Sequence, residues 1–312
     1  MTNKTSSSKY SIGSGRKDGH KTRIAIIGSG VVGQATGIAF LNKGFDITFV
    51  DNNTDVVKEL DAKGYQAILT EALEPQKISI FFVSVPTYIS DDDGGISYMR
   101  TAAENLGVWL SQKSDYSLVV IRSTILPGTT EKVIIPTIEK YSRKKAGQDF
   151  GVCVNPEYLR EKSALSDFEK PWVVVIGEMN KRDGDILQDI YHRVECPVHR
   201  VSIREAEMQK FVHNLFNANK ISFFNEMRQV CRELGISCEK MFQLVTESAE
   251  GMWNPAYGTK DMGPFAGACL PKDSKAFQRF AKENLKIEMR MLQAMLELNE
   301  HMIKNYKESL VK

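Results

Sequence analysis

The sequence predicts an α/β protein, a doubly wound parallel sheet followed by a smaller, mainly helical domain built on one long central helix. From Arg23 onward, short and continuous apolar runs alternate with amphipathic stretches. Continuous rather than alternating apolar strands imply a sheet covered on both faces. After about Ser202 such runs stop. The length of 312 residues suggests about two domains at roughly 150 residues each.

Residues 1–21 are dominated by Ser, Lys and Gly; they cannot bury enough surface to offset ordering entropy and are expected to form a flexible polar tail. Strands are expected at Ile24 to Ile27, Ile47 to Val50, Ile78 to Val85, Leu118 to Ile121, Val152 to Val154 and Val173 to Ile176, which assigns 22–202 to the sheet domain. Ile203 to Leu234 reads as one helix, with Val212, Leu215, Phe216, Phe223, Met227, Val230 and Leu234 apolar and Gly235 as its stop. Pro255 to Pro271 reads as loop, Asp273 or Ser274 as the cap of another helix. Ile287 to Leu310 reads as a Met-rich amphipathic helix whose stripe suits core or dimer contact. Residues 203–312 are thus the expected helical domain.

With 41 Lys+Arg against 39 Asp+Glu, the net charge of +2 supplies no field for nucleic-acid or membrane-surface binding. The composition, 42% hydrophobic and 26% charged, is that of an ordinary globular chain rather than a disordered one. Cys153, Cys196, Cys231, Cys238 and Cys269 are odd in number, with no C-x-x-C pairing and no His-rich neighbours. This speaks against a disulfide framework and a structural zinc site, and no metal is expected. Apolar stretches such as Ile78 to Val85 are too short to span a bilayer, and Met1 to Gly19 lacks a signal-peptide core. A reducing cytoplasm is the expected compartment.

Gly28-Ser29-Gly30-Val31-Val32-Gly33 follows an apolar strand and opens a helix, and Asp51 ends the next strand 23 residues after Gly28. Gly28 suits a tight turn, Gly30 the approach of a pyrophosphate to a helix N-terminus, and Gly33 close helix packing, a Rossmann-type dinucleotide fingerprint. Asp51 would accept hydrogen bonds from a ribose 2′-OH and repel a 2′-phosphate, so NAD is expected over NADP. Hydride chemistry follows from the cofactor.

Ser84-Val85-Pro86-Thr87 and Ser123-Thr124-Ile125-Leu126-Pro127-Gly128-Thr129 each leave an expected strand, where open α/β sheets bind ligands, although either alone also suits a simple turn. Asn155-Pro156-Glu157-Tyr158-Leu159-Arg160-Glu161 leaves a strand with two carboxylates and a guanidinium, which are equally consistent with solvated loop charges. Lys210 and Asn214 share a helical face on which an ammonium and an amide could hold one substrate oxygen; a plain exposed face is the alternative. Cys269-Leu270-Pro271-Lys272-Asp273 sets a thiol beside a lysine before a helix, an arrangement that could make it nucleophilic, although most single cysteines are inert.

Together these segments resemble the UDP-glucose/GDP-mannose dehydrogenase family. The matching residues are Gly28 to Gly33, Asp51, the run ending at Thr87, the run at Thr124, Asn155 to Glu161, Ala206-Glu207-x-x-Lys210 with Asn214, Asn225-Glu226, and Cys269 to Asp273. They fall in the family's order over about residues 23–280. The resemblance implies oxidation of a nucleotide sugar's primary alcohol to a carboxylate with two NAD+ in turn, of the UDP-glucose to UDP-glucuronate type used in polysaccharide biosynthesis, in a homodimer.

In that reading Lys210 and Asn214 stabilise the oxyanion and Cys269 attacks the intermediate aldehyde. Glu157 assists hydrolysis as general base, and Asp273 with Thr124 positions water. The resemblance further implies cofactor contacts from Gly28, Gly30, Val32, Gly33, Asp51, Thr87, Thr124, Glu161 and Lys272. Substrate contacts are implied from Glu157, Tyr158, Leu159, Arg160, Lys210, Asn214 and Gly267.

The chain also departs from the family. The glycine pair before the cysteine reads Ala266-Gly267, and Val56 stands near the place of an expected basic residue. The chain stops at Lys312, and the family's C-terminal nucleotide-binding domain is expected to be lacking. Two other readings therefore stay open: a catalytically weak NAD-binding scaffold that needs a partner chain, and a dehydrogenase for a smaller hydroxy compound, since the layout also resembles the β-hydroxyacid dehydrogenases. Cys269 separates the first reading from the last, because a simple alcohol oxidation needs no nucleophile.

Overall fold

The computed structural model describes residues 22–87, 96–259 and 263–310. The expected tail over 1–21 lies outside them. The chain divides into two compact units, the first ending at His213 and the second beginning at Asn214.

Among the described residues the first unit carries eight strands, β1 (Arg23–Ile27), β2 (Asp46–Asp51), β3 (Ala67–Leu69), β4 (Ile80–Val83), β5 (Ser117–Ile121), β6 (Phe150–Val154), β7 (Val174–Glu178) and β8 (Val198–Ser202). They form one sheet in the order β3-β2-β1-β4-β5-β6-β7-β8. All neighbours are parallel except β6 and β7. The helices between them are α1 (Val31–Asn42), α2 (Thr54–Ala62), α3 (Ser97–Ser111), α4 (Ile135–Ser142, preceded by a π-helical turn at Thr130–Ile134), α5 (Ala164–Glu169) and α6 (Lys181–Tyr191).

Why the strands read as unbroken apolar runs is visible in the packing. Ile24, Ile26, Ile80, Phe82, Leu118 and Val120 enter one core. Their chain neighbours Ala25, Ile27, Phe81, Val83, Val119 and Ile121 enter the core on the other face. Both faces are covered, so neither register can be polar. The expected run from Ile78 to Val85 shortens to β4, because Ser84 and Val85 already serve the loop beyond the sheet.

Two strands, β3 and β8, were not legible in the sequence. β8 reads Val-His-Arg-Val-Ser with no fully buried position, as suits an edge strand that must not recruit partners. Helix α7 (Ile203–Glu233) follows it without a linker. It crosses β7 at Gly177, where a Cβ would stand 2.5 Å from that of Ala206.

The second unit continues α7 and adds α8 (Cys238–Ser248), α9 (Glu250–Trp253), α10 (Leu270–Asn284) and α11 (Arg290–Leu310). Val230, Ala281 and Met289 form a small core with Met227, Leu285, Ile287 and Leu292. Glu226 accepts hydrogen bonds from the N–H groups of Met291 at 2.8 Å and Leu292 at 3.1 Å, satisfying donors that a helix start leaves open. This sets the α11 start at Arg290 rather than Ile287. Helix α10 also begins earlier than expected, with Cys269 rather than Asp273 or Ser274 at its cap position and Pro271 in its first turn, a place where proline is favoured.

Candidate active site

Strands β1, β2, β4, β5 and β6 run parallel, so their C-terminal ends share one edge. Gly28, Asp51, Ser84, Thr124 and Glu157 all leave the sheet there. Strand order reverses between β1 and β4, the place where open sheets make a crevice for a ligand. Gly28 has φ +86°, and a Cβ on it would stand 2.8 Å from the Ser84 carbonyl oxygen. A Cβ on Gly33 would stand 2.0 Å from the Gly28 carbonyl oxygen, so α1 seats on the loop only without one.

Gly30 differs: a Cβ there meets nothing within 4 Å. It caps α1, which has no side-chain cap and no acidic residue in its first turn. Open space before uncapped backbone donors fits a pyrophosphate. Asp51 is half-buried; Oδ2 accepts from Ser29 N–H at 2.7 Å and Oδ1 from Asn53 N–H at 2.9 Å. The carboxylate is thereby fixed beside the glycine loop, with acceptor capacity left for a ribose hydroxyl. Val32 lies in the first turn of α1, Thr87 and Thr124 are half-buried beyond β4 and β5, and Glu161 is exposed.

Beyond β6 the structure brings Glu157, Tyr158 and Lys210 together. The Lys210 ammonium donates to the Glu157 carbonyl and lies 3.1 Å from Glu157 Oε1. The second carboxylate oxygen accepts from Leu159 N–H at 2.6 Å. Lys210 also stands 5.3 Å from the centre of the Tyr158 ring, and the Tyr158 hydroxyl donates to Gln209. Burial pushes that hydroxyl up to about 12.

His213, which sequence reasoning passed over, packs on the same ring at 4.8 Å; burial, then the Lys210 charge, lowers its pKa. Leu159 turns its side chain into a core, and Arg160 pairs with Asp167 at 2.7 Å. Any contact that these two residues make with a substrate therefore falls to the Leu159 backbone and to a guanidinium already shared.

Sequence reasoning gave Glu207 no role. It is 2% exposed and accepts from the N–H groups of Gly128 and Thr130, which anchors α7 to the open N-terminal donors of the helical segment after β5. The motif positions Glu207 and Lys210 thus do different work, one docking the helix and the other facing the strand exits.

In the second unit, Asn214, Gly267, Cys269, Lys272 and Asp273 are all exposed. Gly267 has φ +86°, a conformation that favours glycine. Lys272 lies 3.1 Å from Asp273, so its ammonium pairs with that carboxylate. All five cysteines are free thiols. Among the described residues no group of three His, Cys, Asp or Glu side chains could hold a metal, and no helix is long and apolar enough to cross a membrane.

A glycine-lined crevice at the switch point with a fixed carboxylate at the second strand suits a dinucleotide, and the similarity to known proteins makes the chain an NAD-dependent dehydrogenase acting on a CH–OH group. The NAD-binding domain of the UDP-glucose/GDP-mannose dehydrogenase family matches residues 68–195, and that family's central domain matches 204–301. The chain belongs to this family. It is 31% identical over 305 residues to a GDP-mannose 6-dehydrogenase of Pseudomonas savastanoi pv. phaseolicola, covering 91% of this chain and 69% of the relative. It is 33% identical over 302 residues to a UDP-glucose 6-dehydrogenase of Haloferax volcanii, covering 89% and 69%. The ternary-complex crystal structure of a GDP-mannose dehydrogenase from Pseudomonas aeruginosa superposes with a TM-score of 0.84 at 30% identity, over 91% of this chain and 69% of that one.

Proposed function

We propose that this protein oxidises the primary alcohol of a nucleotide-linked hexose to a carboxylate, with Cys269 carrying the intermediate acyl group. NAD+, held by Gly28, Gly30, Val32, Gly33 and Asp51 with Thr87, Thr124, Glu161 and Lys272 contributing, supplies the hydride acceptor when bound. The observation that carries the reading is the Lys210–Glu157 pair, a nearly buried ammonium and carboxylate placed where the strands end.

Lys210, aided by Asn214, holds the substrate oxygen as its proton leaves and hydride departs from carbon; a preorganised donor is most useful where charge develops. The Cys269 thiol then adds to the aldehyde carbon and the carbonyl oxygen takes up a proton, giving a thiohemiacetal. Loss of a second hydride and a proton leaves a thioester. Glu157 takes a proton from water, Asp273 and Thr124 position that water, and its attack releases carboxylate and thiol. Tyr158, Leu159, Arg160 and Gly267 complete the substrate contacts.

The protein works as a homodimer in this reading, since Leu215, Phe216, Ile221 and Phe223 of α7 are exposed apolar side chains suited to a second copy. Its compartment is the cytoplasm, which keeps the free thiols reduced.

The deciding experiment counts NADH per sugar with GDP-mannose and with UDP-glucose, for the parent and for Cys269→Ser in single-turnover rapid mixing. Two NADH per sugar are expected for the parent, with a normal first phase and a blocked second phase in the variant. Second-phase release by the variant at the parent rate would overturn the nucleophile assignment, and one NADH per sugar in the parent would leave a simple alcohol oxidation.

A further inference from the structure

Arg122, the residue after β5, is 3% exposed, and a guanidinium cannot shed its proton to ease burial. A buried charge normally survives only when paired. The hydrogen bonds of this one all go to neutral acceptors: Nη1 donates to Asn155 Oδ1, to the Tyr191 hydroxyl at 3.0 Å and, at 3.4 Å, to the Asn155 carbonyl. Among the described residues Nε has no hydrogen-bond partner, and the Phe168 ring lies 5.3 Å from the guanidinium carbon.

Two of the three hydrogen bonds end on Asn155, and the third ends on a hydroxyl that itself donates to Asn155. Asn155 is 1% exposed, its Oδ1 also accepts from the Tyr191 hydroxyl at 2.6 Å, and its Nδ2 donates to the Val175 carbonyl at 2.8 Å. Its own N–H donates to Ile121 at 2.8 Å. Asn155 is thus fixed from β5, β7 and α6 at once, and Glu157 is two residues further along the chain. Glu157 meets Lys210 through its backbone carbonyl as well as its carboxylate, so the path of the main chain, and not only a side-chain rotamer, sets where the ammonium stands.

We propose that Arg122 is a positioning residue: by clamping Asn155 together with Tyr191 it fixes the Asn155-Pro156-Glu157 exit from β6, and through Glu157 it holds the Lys210 ammonium in place. The catalytic part of this inference rests on the proposed function; the geometric part does not. A charge kept in the interior with no carboxylate paired to it among the described residues is explained by a single nitrogen, Nη1, which reaches Asn155 and the Tyr191 hydroxyl at once, as a neutral apolar side chain of similar size cannot.

The test has one arm that needs no substrate. Amine labelling of the full chain by a succinimidyl ester, read by peptide mass, compares Lys210 with Lys113. Lys113 is buried elsewhere in the same unit and donates to the Pro75 and Ile78 carbonyls at 2.8 Å and 2.7 Å, so it reports general loosening. Arg122→Met should raise Lys210 labelling several-fold with Lys113 unchanged, and Arg122→Lys should restore part of the protection. Tyr191→Phe, which removes one clamp and keeps the charge, should fall between, and it serves if the methionine variant does not fold.

In turnover, Arg122→Met should lower kcat by about 10²-fold, the scale of an ångström-sized misplacement, while KM for NAD+ stays within about twofold and Arg122→Lys regains part of the rate. Unchanged Lys210 labelling, or labelling that rises equally at Lys113, overturns the inference. Selective Lys210 labelling in a protein that oxidises no nucleotide sugar leaves the positioning role standing and removes the proposed reaction instead.

Discussion

Lys210 meets Glu157 twice, through the carbonyl and through the carboxylate, with side chains only 8% and 15% exposed. Rotation of the ammonium out to solvent would forfeit both contacts. Lys210→Ala is expected to slow both hydride steps by roughly 10²- to 10³-fold, the usual loss for one oxyanion donor. It should also destabilise the first unit by about 1–3 kcal/mol, since a largely buried acceptor loses its partner. Rapid mixing and thermal unfolding measure the two effects; a variant with a slowed second phase alone contradicts the shared role.

The glycine loop offers a contrast between two alanines. Gly33→Ala drives a Cβ to within 2.0 Å of a backbone oxygen and is expected to cost about 1–3 kcal/mol as the helix shifts. Gly30→Ala meets only open space and should cost less stability than Gly33→Ala, no more than a poorer helix cap does, while weakening NAD+ binding. Titration beside a melting curve separates them. Unchanged NAD+ affinity in Gly30→Ala would mean that the space before α1 is not a cofactor cradle.

Asp51 should favour NAD+ over NADP+, because its fixed carboxylate would face the 2′-phosphate with like charge. Asp51→Ala is expected to narrow the preference and also to weaken NAD+ itself, since the Ser29 and Asn53 N–H groups lose their acceptor. Equal parent affinities for the two cofactors would refute the assignment.

Stability should fall away on both sides of neutrality for identifiable reasons. Hydrogen bonds from Arg160 hold the Asp167 carboxyl well below the usual carboxylate range. Its contribution is complete above the unfolded value of about 3.9 and is lost as pH falls through the depressed folded one. Burial raises the Tyr158 hydroxyl to about 12, so its contribution is intact below about 10 and is lost as pH rises through the folded value. Arg160→Gln should flatten the acid limb of the melting profile and Tyr158→Phe the alkaline limb; an unaltered limb in either variant removes that residue from the account.

The parts of this molecule legible in the sequence are those with a local cause. Central strands announce themselves because both faces are buried, and the glycine loop because its turn and helix packing tolerate no Cβ at two positions. Edge strands do not: β3 has three residues and β8 interleaves His199 and Arg200 with valines. Nor do side chains whose partners are distant in sequence. Glu207 reads as an ordinary helical acid until Gly128 and Thr130 are beside it, Glu226 until the start of α11 is, and Arg122 as a strand-end cation until Asn155 and Tyr191 close on it. The motif spacings marked the neighbourhood of these groups, whereas their tasks are set by contacts across tens of residues.

The strand order has a consequence during synthesis. From β4 to β8 neighbours in the sheet are neighbours in the chain, so each strand leaving the ribosome finds its partner already made, and the sheet can grow outward in the direction of translation. Until β8 arrives, however, the growing margin is a strand such as β5 or β6, in which every residue ends up buried. A nascent chain arrested before Val198 therefore offers an adhesive apolar edge to chaperones or to other nascent chains. One that has passed Ser202 presents instead the half-polar border of β8, and the sheet stops there.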